Sequence, residues 1–205
     1  MPKIKICGLT SIEETAFLKQ NQVDFAGVVV FFPKSKRNVS IEHAREIINA
    51  LDPSIHSVAV TVSPCVEEIK QIEQAGFHYL QVHGELAEDV LNSAKIPIFR
   101  AFNISNVSEY SKLHHCSKIH GYVFDAQEPG SGKVFDWSTV KSIPRDEKLF
   151  ILAGGLTPQN VASAVNFVKP DVVDVSSGVE NDSGKGKDPE KIMQFVQNAR
   201  KTLSI

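Results

Sequence analysis

The sequence predicts an α/β fold, and within that class a single-domain (β/α)8 barrel, the TIM-barrel architecture, over residues 1–205. Short apolar segments alternate with helical segments at roughly 20 to 25 residues per unit, and eight such units can be counted. The predicted strands cover residues 3–7, 25–30, 56–62, 79–83, 98–102, 121–124, 149–152 and 172–175. A doubly wound open sheet is the main alternative, but it normally uses fewer units.

Composition bounds the partners of the chain. A length of 205 residues with 42% hydrophobic residues is enough for one sizeable core. The net charge is −2, and neither a basic run nor an acidic tail is present, so we expect no nucleic-acid partner. The longest apolar run, residues 26–32, is too short to span a membrane, and a buried strand explains it better.

The cysteines and the amino terminus indicate the compartment. Cys7, Cys65 and Cys116 are odd in number and widely spaced, which predicts no disulfide framework and favours a reducing cytoplasm. Residues 1–3 lead directly into the first predicted strand, so we expect no signal peptide. The chain is therefore expected to be cytoplasmic.

Capping signals predict where the helices begin. Thr10 with Glu13, and Ser11 with Glu14, have the spacing of a capping box, which predicts a helix over residues 11–20. Ser40 is expected to cap a helix that reaches residue 51. The other helices are predicted from Ser63-Pro64 to Gly76, over 87–94, 107–113 and 137–143, from Thr157-Pro158, and from Asp188-Pro189 to about residue 203.

A cysteine and an aspartate end two of the strands. Cys7 closes the first strand just before Gly8, and Asp125 follows the sixth, at the edge where parallel α/β folds bind ligands. A thiol and a carboxyl on opposite sides of the barrel mouth could exchange protons with a substrate between them. Cys7 could equally be a small buried hydrophobe, and Asp125 a cap. Asp174 and Asp136 compete for the acid role, although Asp136 is more typical of a helix cap.

Two glycine turns follow the last two strands. Gly154-Gly155 precedes a helix start, and Ser177-Gly178 follows the next strand. Glycines let backbone N–H groups approach an anion closely, and barrel enzymes often bind phosphate at this place. The alternative is that the glycines only form tight turns. The paired turns favour a phosphate site.

Other polar residues are placed to contact a substrate. Arg37 lies in a cation-rich loop and is the best candidate for a bidentate contact with a carboxylate, although exposed cations are common. Gln81 and His83 share one face of the fourth strand, and His83 ends it at the mouth. The spacing of the histidine, cysteine and acidic residues predicts no metal site.

At this level of detail the chain resembles the phosphoribosylanthranilate isomerase family of the tryptophan pathway. The resemblance runs from end to end, and the combination of motifs in this order is specific. The matching motifs are Lys5-Ile6-Cys7-Gly8-Leu9-Thr10, Pro33-Lys34-Ser35-Lys36-Arg37, Gln81-Val82-His83-Gly84, Ala153-Gly154-Gly155-Leu156-Thr157-Pro158 with Asn160, and Asp174-Val175-Ser176-Ser177-Gly178-Val179-Glu180.

The resemblance implies an Amadori rearrangement without a cofactor, the third step of the tryptophan branch from chorismate. It makes Cys7 the general base and Asp125 the general acid, with Arg37 at the anthranilate carboxylate of a phosphorylated small-molecule substrate. It lines the phosphate site with Gly154, Gly155, Ser177 and Gly178. It places Gln81 and His83 beside the anthranilate end.

One loop departs from the family pattern. The family usually has adjacent glycines after the sixth strand, whereas this chain has Pro129-Gly130-Ser131-Gly132 there. Proline stiffens a backbone, so the departure bears on closure of this loop over a substrate.

Two other functions remain open at this stage. One is another barrel enzyme acting on a phosphorylated sugar, such as a sugar isomerase of histidine synthesis or indole-glycerol-phosphate synthase, against which the Cys7 and Arg37 motifs argue. The other is a catalytically silent module that binds a phosphorylated metabolite. The sequence leaves open whether the chain is a monomer or a homodimer.

Overall fold

A computed structural model describes residues 1–103, 110, 113, 115–125, 135–184 and 186–201. The strands are β1 Lys3–Cys7, β2 Phe25–Val30, β3 Asn38–Val39, β4 His56–Val62, β5 Tyr79–His83, β6 Ile98–Asn103, β7 Ile119–Asp125, β8 Leu149–Leu152 and β9 Val172–Val175. The helices are α1 Glu14–Gln20, α2 Ile41–Asn49, α3 Val66–Ala75, α4 Glu88–Ser93, α5 Ser138–Lys141, α6 Val161–Val168 and α7 Pro189–Arg200.

Eight parallel strands close into a ring. Their order is β1-β9-β8-β7-β6-β5-β4-β2, and β1 pairs with β2 to complete the circle. On one side Lys5 of β1 is in register with Asp174 of β9, and on the other Cys7 is in register with Gly27 of β2. The predicted (β/α)8 barrel is confirmed, because an open doubly wound sheet would leave β1 at an edge. The short β3, which the sequence did not predict, pairs with β2 outside the ring.

The pleat of the strands divides the apolar residues into two cores. Side chains of one parity fill the barrel interior, and those of the other parity pack under the helices, because successive residues of a strand point to opposite faces. The interior core consists of Phe25, Val29, Val58, Val60, Phe99, Ala101, Val123, Ile151, Ala153 and Val172. Below the cavity described in the next section, the barrel is therefore a packed core.

The amino-terminal end of α1 differs from its prediction. The helix begins at Glu14 instead of residue 11, and neither predicted capping box caps it. The Glu14 carboxylate accepts hydrogen bonds from the backbone N–H groups of Thr10 and Ser11 and from that of Lys187, which is remote in sequence. Because the Glu14 side chain is held by this remote segment, the chain before it stays non-helical.

The predicted start of α3 is also wrong. Cys65 instead of Ser63 is the N-cap, and the Glu68 carboxylate accepts a hydrogen bond from the Cys65 N–H. The Ser63 hydroxyl accepts one from the Glu85 N–H, so it joins the loop after β4 to the loop after β5. The predicted end of α3 at Gly76 is confirmed.

Other helix starts follow the capping signals more closely. The Ser40 side chain accepts a hydrogen bond from the His43 N–H at the start of α2. Asp188 caps α7 in the same way, with Pro189 in the first turn. Near Thr157-Pro158 the backbone forms a turn, and α6 begins a few residues later, at Val161.

Some predictions fall outside the described residues. These are most of the helix over residues 107–113, the loop after β7 with its Pro129-Gly130-Ser131-Gly132 segment, and the end of the last helix at residue 203. Within the described ranges, every helix is too short or too polar to cross a membrane.

Truncating the interior core should cost more stability than truncating the surface. Phe99 is fully buried and stacks on Tyr79, with ring centroids 4.7 Å apart, at the end of the barrel opposite the cavity. We expect Phe99→Ala to lower the free energy of unfolding by about 3–5 kcal/mol, because it opens a cavity that rigid strands cannot fill. Phe167→Ala, at a ring that is 41% exposed, should cost less than about 1 kcal/mol. Urea denaturation of both variants measures the difference, and equal losses would contradict a packed interior.

Candidate active site

A cavity opens at the carboxyl ends of the ring strands. Its volume is about 420 Å³. The wall residues discussed below belong to seven of the eight ring strands or to the loops that follow those strands. Those residues are Cys7, Val29, Phe32, Arg37, Val60, Val62, Gln81, His83, Asp125, Gly154, Gly155, Asp174, Ser176 and Ser177.

The thiol and the carboxyl predicted to act together both face this cavity. Cys7 ends β1 and Asp125 ends β7, three places apart in the ring of eight. The two strands between them, β9 and β8, carry the glycine turns. Cys7 is half-buried at the cavity floor, and the Asp125 side chain is buried in its wall. A ligand that enters the cavity therefore meets a thiol and a carboxyl on well-separated parts of its wall.

The turn after β8 exposes bare backbone to the cavity. Gly154 and Gly155 have φ values of 81° and 66°, a region that side-chain-bearing residues rarely adopt. Asn160 holds the turn, because its amide N–H donates to the Gly155 carbonyl at 2.9 Å and its Oδ1 accepts from the Thr157 N–H at 2.8 Å. This arrangement fits an anion bound by backbone N–H groups.

The turn after β9 packs directly against the turn after β8. Ser177 lines the cavity and begins a 3-10 turn that ends at Val179. Gly178 is not among the lining residues. A Cβ atom at Gly178 would lie 2.0 Å from the carbonyl oxygen of Leu156, so only glycine allows the two turns to touch. Gly178 thereby fixes the spacing between Ser177 and the Gly154-Gly155 turn.

Arg37 reaches the cavity from the loop after β2. Its Nε donates a hydrogen bond to the Glu180 carboxylate, whereas Nη2 is buried with no protein partner. The side chain lies across Gly8, where a Cβ atom would come within 2.4 Å of the Arg37 Cδ. Arg37 is thus fixed along its length and keeps one end of the guanidinium unpaired, as a carboxylate-binding arginine requires.

Glu180 is the anion that binds the cations of the loop carrying Arg37. Its buried carboxylate also accepts a hydrogen bond from Lys36 at 2.7 Å and lies 3.6 Å from the Lys187 ammonium. Burial works to raise the pKa of Glu180, but the hydrogen bonds from Arg37 and Lys36 outweigh it, and the pKa is lowered. Sequence reasoning quoted Glu180 within a motif without giving it a role, because its partners come from distant loops.

Gln81 and His83 form a pair opposite the glycine turns. The Gln81 Nε2 lies 2.8 Å from the His83 Nε2. Burial, together with the nearby Lys5 and Arg100 cations, lowers the pKa of His83 to about 4. The Gln81 amide and the neutral His83 ring share this one hydrogen bond. The pair therefore presents an uncharged polar surface to the cavity.

An ion pair that sequence reasoning missed lies beneath the thiol. The fully buried Lys5 donates a hydrogen bond to the Asp174 carboxylate at 2.9 Å. Lys5 and Cys7 are two residues apart on β1, so they share the inward face, and this spacing was the available signal. Burial raises the pKa of the Cys7 thiol and Asp174 raises it further, while Lys5 and Lys187 act to lower it.

The other acidic candidate lies elsewhere. The exposed Asp136 accepts a hydrogen bond from the Ser138 N–H near the start of α5, although the N-cap of this helix is Trp137 and not Asp136. In the described part of the chain, no group of three or more histidine, cysteine, aspartate or glutamate residues could hold a metal ion.

Comparison with known proteins places the chain in a family. Residues 4–198 match the family model described as N-(5'-phosphoribosyl)anthranilate isomerase. The chain belongs to this isomerase family. It is 38% identical to the N-(5'-phosphoribosyl)anthranilate isomerase of Streptococcus mutans, over 98% of this chain and all of that protein. It is 35% identical to the enzyme of the same name from Aquifex aeolicus, over 98% and 99% of the two chains.

Solved structures of isomerase family members have the same fold. The crystal structure of the enzyme from Thermotoga maritima superposes with a TM-score of 0.85 at 36% identity, over 98% of this chain and 99% of that one. A second structure, of an isomerase in complex with reduced 1-(o-carboxyphenylamino)-1-deoxyribulose 5-phosphate, superposes with a TM-score of 0.81 at 33% identity, over the same shares of the two chains. The resemblance found in the sequence is therefore confirmed.

The isomerase-family motifs converge on one cavity although they are spread over the whole chain. Eight of the nine predicted site residues line it: Cys7, Arg37, Gln81, His83, Asp125, Gly154, Gly155 and Ser177. The ninth, Gly178, lies directly behind the wall. The parallel ring explains this convergence, since every motif follows the carboxyl end of a strand.

The low pKa of His83 predicts how stability depends on pH. In the unfolded chain this histidine takes up a proton below about pH 6.5, whereas folded His83 takes it up only near pH 4. The contribution of His83 to the free energy of unfolding is therefore fully present above pH 6.5 and is lost on acidification. Between pH 7 and pH 5 the wild type should lose about 2 kcal/mol of unfolding free energy that His83→Gln does not lose.

Urea denaturation at several pH values measures this loss. His43→Gln is the control, because His43 is exposed and its pKa is raised by a hydrogen bond with Glu46, so this variant should keep the acid-side loss. Parallel stability curves for the wild type and His83→Gln would show that His83 is not held neutral.

Proposed function

We infer that the protein isomerises N-(5'-phosphoribosyl)anthranilate to 1-(2-carboxyphenylamino)-1-deoxyribulose 5-phosphate, a step of tryptophan biosynthesis. One observation carries the inference beyond family membership. A single cavity presents Cys7 and Asp125 on well-separated parts of its wall, with the glycine turns on the two strands between them. A phosphosugar anchored at those turns extends between the thiol and the carboxyl.

The two ends of the cavity suit the two ends of this substrate. The backbone of Gly154 and Gly155, with Ser177, binds the phosphate, and Gly178 holds the two turns together. On the β2 and β4 side the wall is apolar, formed by Val29, Phe32, Val60 and Val62, and suits a benzene ring. Fixing both ends of the substrate holds the reacting carbons between base and acid.

The anthranilate carboxylate binds to Arg37. Its unpaired Nη2 donates to the carboxylate, while Glu180 keeps the guanidinium in place through Nε. The neutral Gln81 and His83 border this end with uncharged polar groups. An uncharged border leaves Arg37 as the cation that selects for the carboxylate there.

Asp125 opens the sugar as the general acid. It donates a proton to the furanose ring oxygen, the bond from C1 to that oxygen breaks, and the anthranilate nitrogen forms a protonated Schiff base with C1. The Asp125 side chain is buried in the cavity wall, on the side of the ring away from Cys7.

Cys7 then acts as the general base. Its thiolate removes the proton from C2, and the electron pair moves into the cationic Schiff base to give an enolamine. The enolamine tautomerises to the ketone, so that the reaction is an internal redox exchange between C1 and C2. The Schiff base is the electron sink, and the residues already named carry out the whole sequence.

Further proposals concern the partner and the compartment. The partner is a phosphorylated small molecule, and we place the chain in the cytoplasm, where its three unpaired cysteines stay reduced. One solved relative is described as a set of monomers generated from a dimeric isomerase of Thermotoga maritima. Light scattering of the purified chain distinguishes a monomer from a homodimer here.

Removing either reacting group should abolish turnover and leave binding intact. We expect Cys7→Ala and Asp125→Ala each to lower kcat by at least about 10³-fold, because proton transfer loses its donor or acceptor. The loss of fluorescence of freshly generated phosphoribosylanthranilate measures turnover. Calorimetry with the reduced product analogue measures binding.

Cys65→Ala is the matched control, because Cys65 is exposed at the start of α3 and does not line the cavity. Its kcat should equal that of the wild type. Unchanged turnover in either active-site variant would remove that residue from its role. If the wild type binds the analogue but shows no turnover, the chain is the silent binding module considered from the sequence.

Removing the Arg37 guanidinium should weaken binding more than chemistry. We expect Arg37→Ala to raise KM roughly 10- to 100-fold with a smaller change in kcat, because a charge-assisted contact with the bound carboxylate is lost. Lys34→Ala, an exposed cation in the same loop, is the control and should leave both constants unchanged. Steady-state kinetics of the two variants decides the point, and an unaltered KM in Arg37→Ala would mean that the carboxylate binds elsewhere.

A further inference from the structure

A buried cation lies directly beneath the Cys7 thiol. Lys5 is fully buried in the barrel interior, and its ammonium is 2.9 Å from the Asp174 carboxylate. A buried ion pair is costly to desolvate and is weak evidence of a stabilising role. An ammonium buried this deeply in the barrel therefore needs another explanation.

The ammonium and the sulfur are neighbours. Lys5 and Cys7 both point inward from β1, and the positive charge of Lys5 acts to lower the pKa of the Cys7 thiol. A Cβ atom on the neighbouring Gly27 of β2 would lie 2.9 Å from the Cys7 sulfur and 3.1 Å from the Lys5 Nζ. Because glycine has no side chain, the sulfur and the ammonium both fit at this place. The sulfur, the ammonium and the Asp174 carboxylate thus lie together across β1 and β9.

We propose that Lys5 is a positioning residue for the Cys7 thiolate, and that Asp174 competes with the thiolate for the same ammonium. The proposal rests on the proposed function, in which Cys7 is the base. Lys5 does not touch the substrate in this proposal. It acts by holding the sulfur on the cavity floor and by supplying a positive charge when the thiol ionises.

The charges around the sulfur are of both signs. Lys5 on β1 and Lys187 in the segment before α7 favour the thiolate, whereas Asp174 on β9 opposes it. Gly27 on β2 carries no charge, and His83 on β5 is neutral above about pH 4. Asp125 lies farther round the cavity, on β7.

A lysine can serve both anions at once. Its ammonium has three donors, of which one is directed to the Asp174 Oδ2, so a second remains for a thiolate at the neighbouring Cys7. Asp174 and Cys7 both act to keep Lys5 charged inside the barrel, whereas burial alone would lower its pKa and favour the neutral amine. The same carboxylate draws the ammonium away from the sulfur, so Asp174 restrains how readily Cys7 ionises.

The test is the pH dependence of Cys7 alkylation by iodoacetamide, because the thiolate and not the thiol reacts. Peptide mass spectrometry of the full chain follows Cys7, with the exposed Cys65 of the same molecule as internal reference. The variants are Lys5→Met, Asp174→Asn and the double variant, and each is first checked for native circular dichroism.

The two single substitutions should act in opposite directions. In Lys5→Met the alkylation midpoint should rise by at least one pH unit, so that the rate at pH 7.5 falls about tenfold or more. In Asp174→Asn the midpoint should fall and the rate at pH 7.5 should rise, because the thiolate becomes the main counter-ion of Lys5. The Cys65 midpoint should stay constant in all variants.

The double variant covers the case in which Lys5→Met does not fold. It removes both buried charges while keeping similar shapes, and its midpoint should lie at least one unit above that of Asp174→Asn. A merely structural role for Lys5 would instead move both single variants in the same direction, or leave the Cys7 midpoint unchanged, and either result overturns the proposal. Alkylation needs no turnover, so this outcome is separate from a failure of the isomerase function.

Discussion

The site depends on the pairing of β1 with both β2 and β9, which closes the ring. This pairing brings the first strand next to the last, so that Cys7 lies beside the Ser177 turn although 169 residues separate the corresponding partners Lys5 and Asp174. Without closure, Cys7 would end an edge strand, and the glycine turns would not lie next to β1 in one cavity. Because all eight strands are parallel, closure also directs every strand end to the same cavity.

Around that cavity, a second constraint fixes the loops. The Glu180 carboxylate, which follows β9, binds Lys36 and Arg37 from the loop after β2 and lies near Lys187 from the segment before α7. Three cations on one buried carboxylate hold these loops in register. The same contacts occupy the Nε edge of the Arg37 guanidinium and leave its buried Nη2 without a protein partner.

Burial and neighbouring charges together decide which side chains inside the site are charged. Lys5 stays charged because Asp174 and Cys7 supply partners, whereas His83, next to the cations Lys5 and Arg100, stays neutral. Cys7 lies between these cases, since burial opposes its ionisation and the lysines favour it. The site therefore contains a thiol whose ionisation is opposed by burial and favoured by its neighbours, a neutral polar pair and a paired cation.

The sequence by itself determined the eight barrel strands, because apolar runs of strand length alternate with helical segments, and it determined the residues at their ends, because strand ends of a parallel barrel converge. It did not determine local starts such as those of α1 and α3, since Glu14 binds the distant Lys187 N–H and Ser63 binds the Glu85 N–H. Nor did it reveal the partners of Lys5 or Glu180. Those contacts join residues far apart in the chain, and only the closed ring decides which buried charges meet.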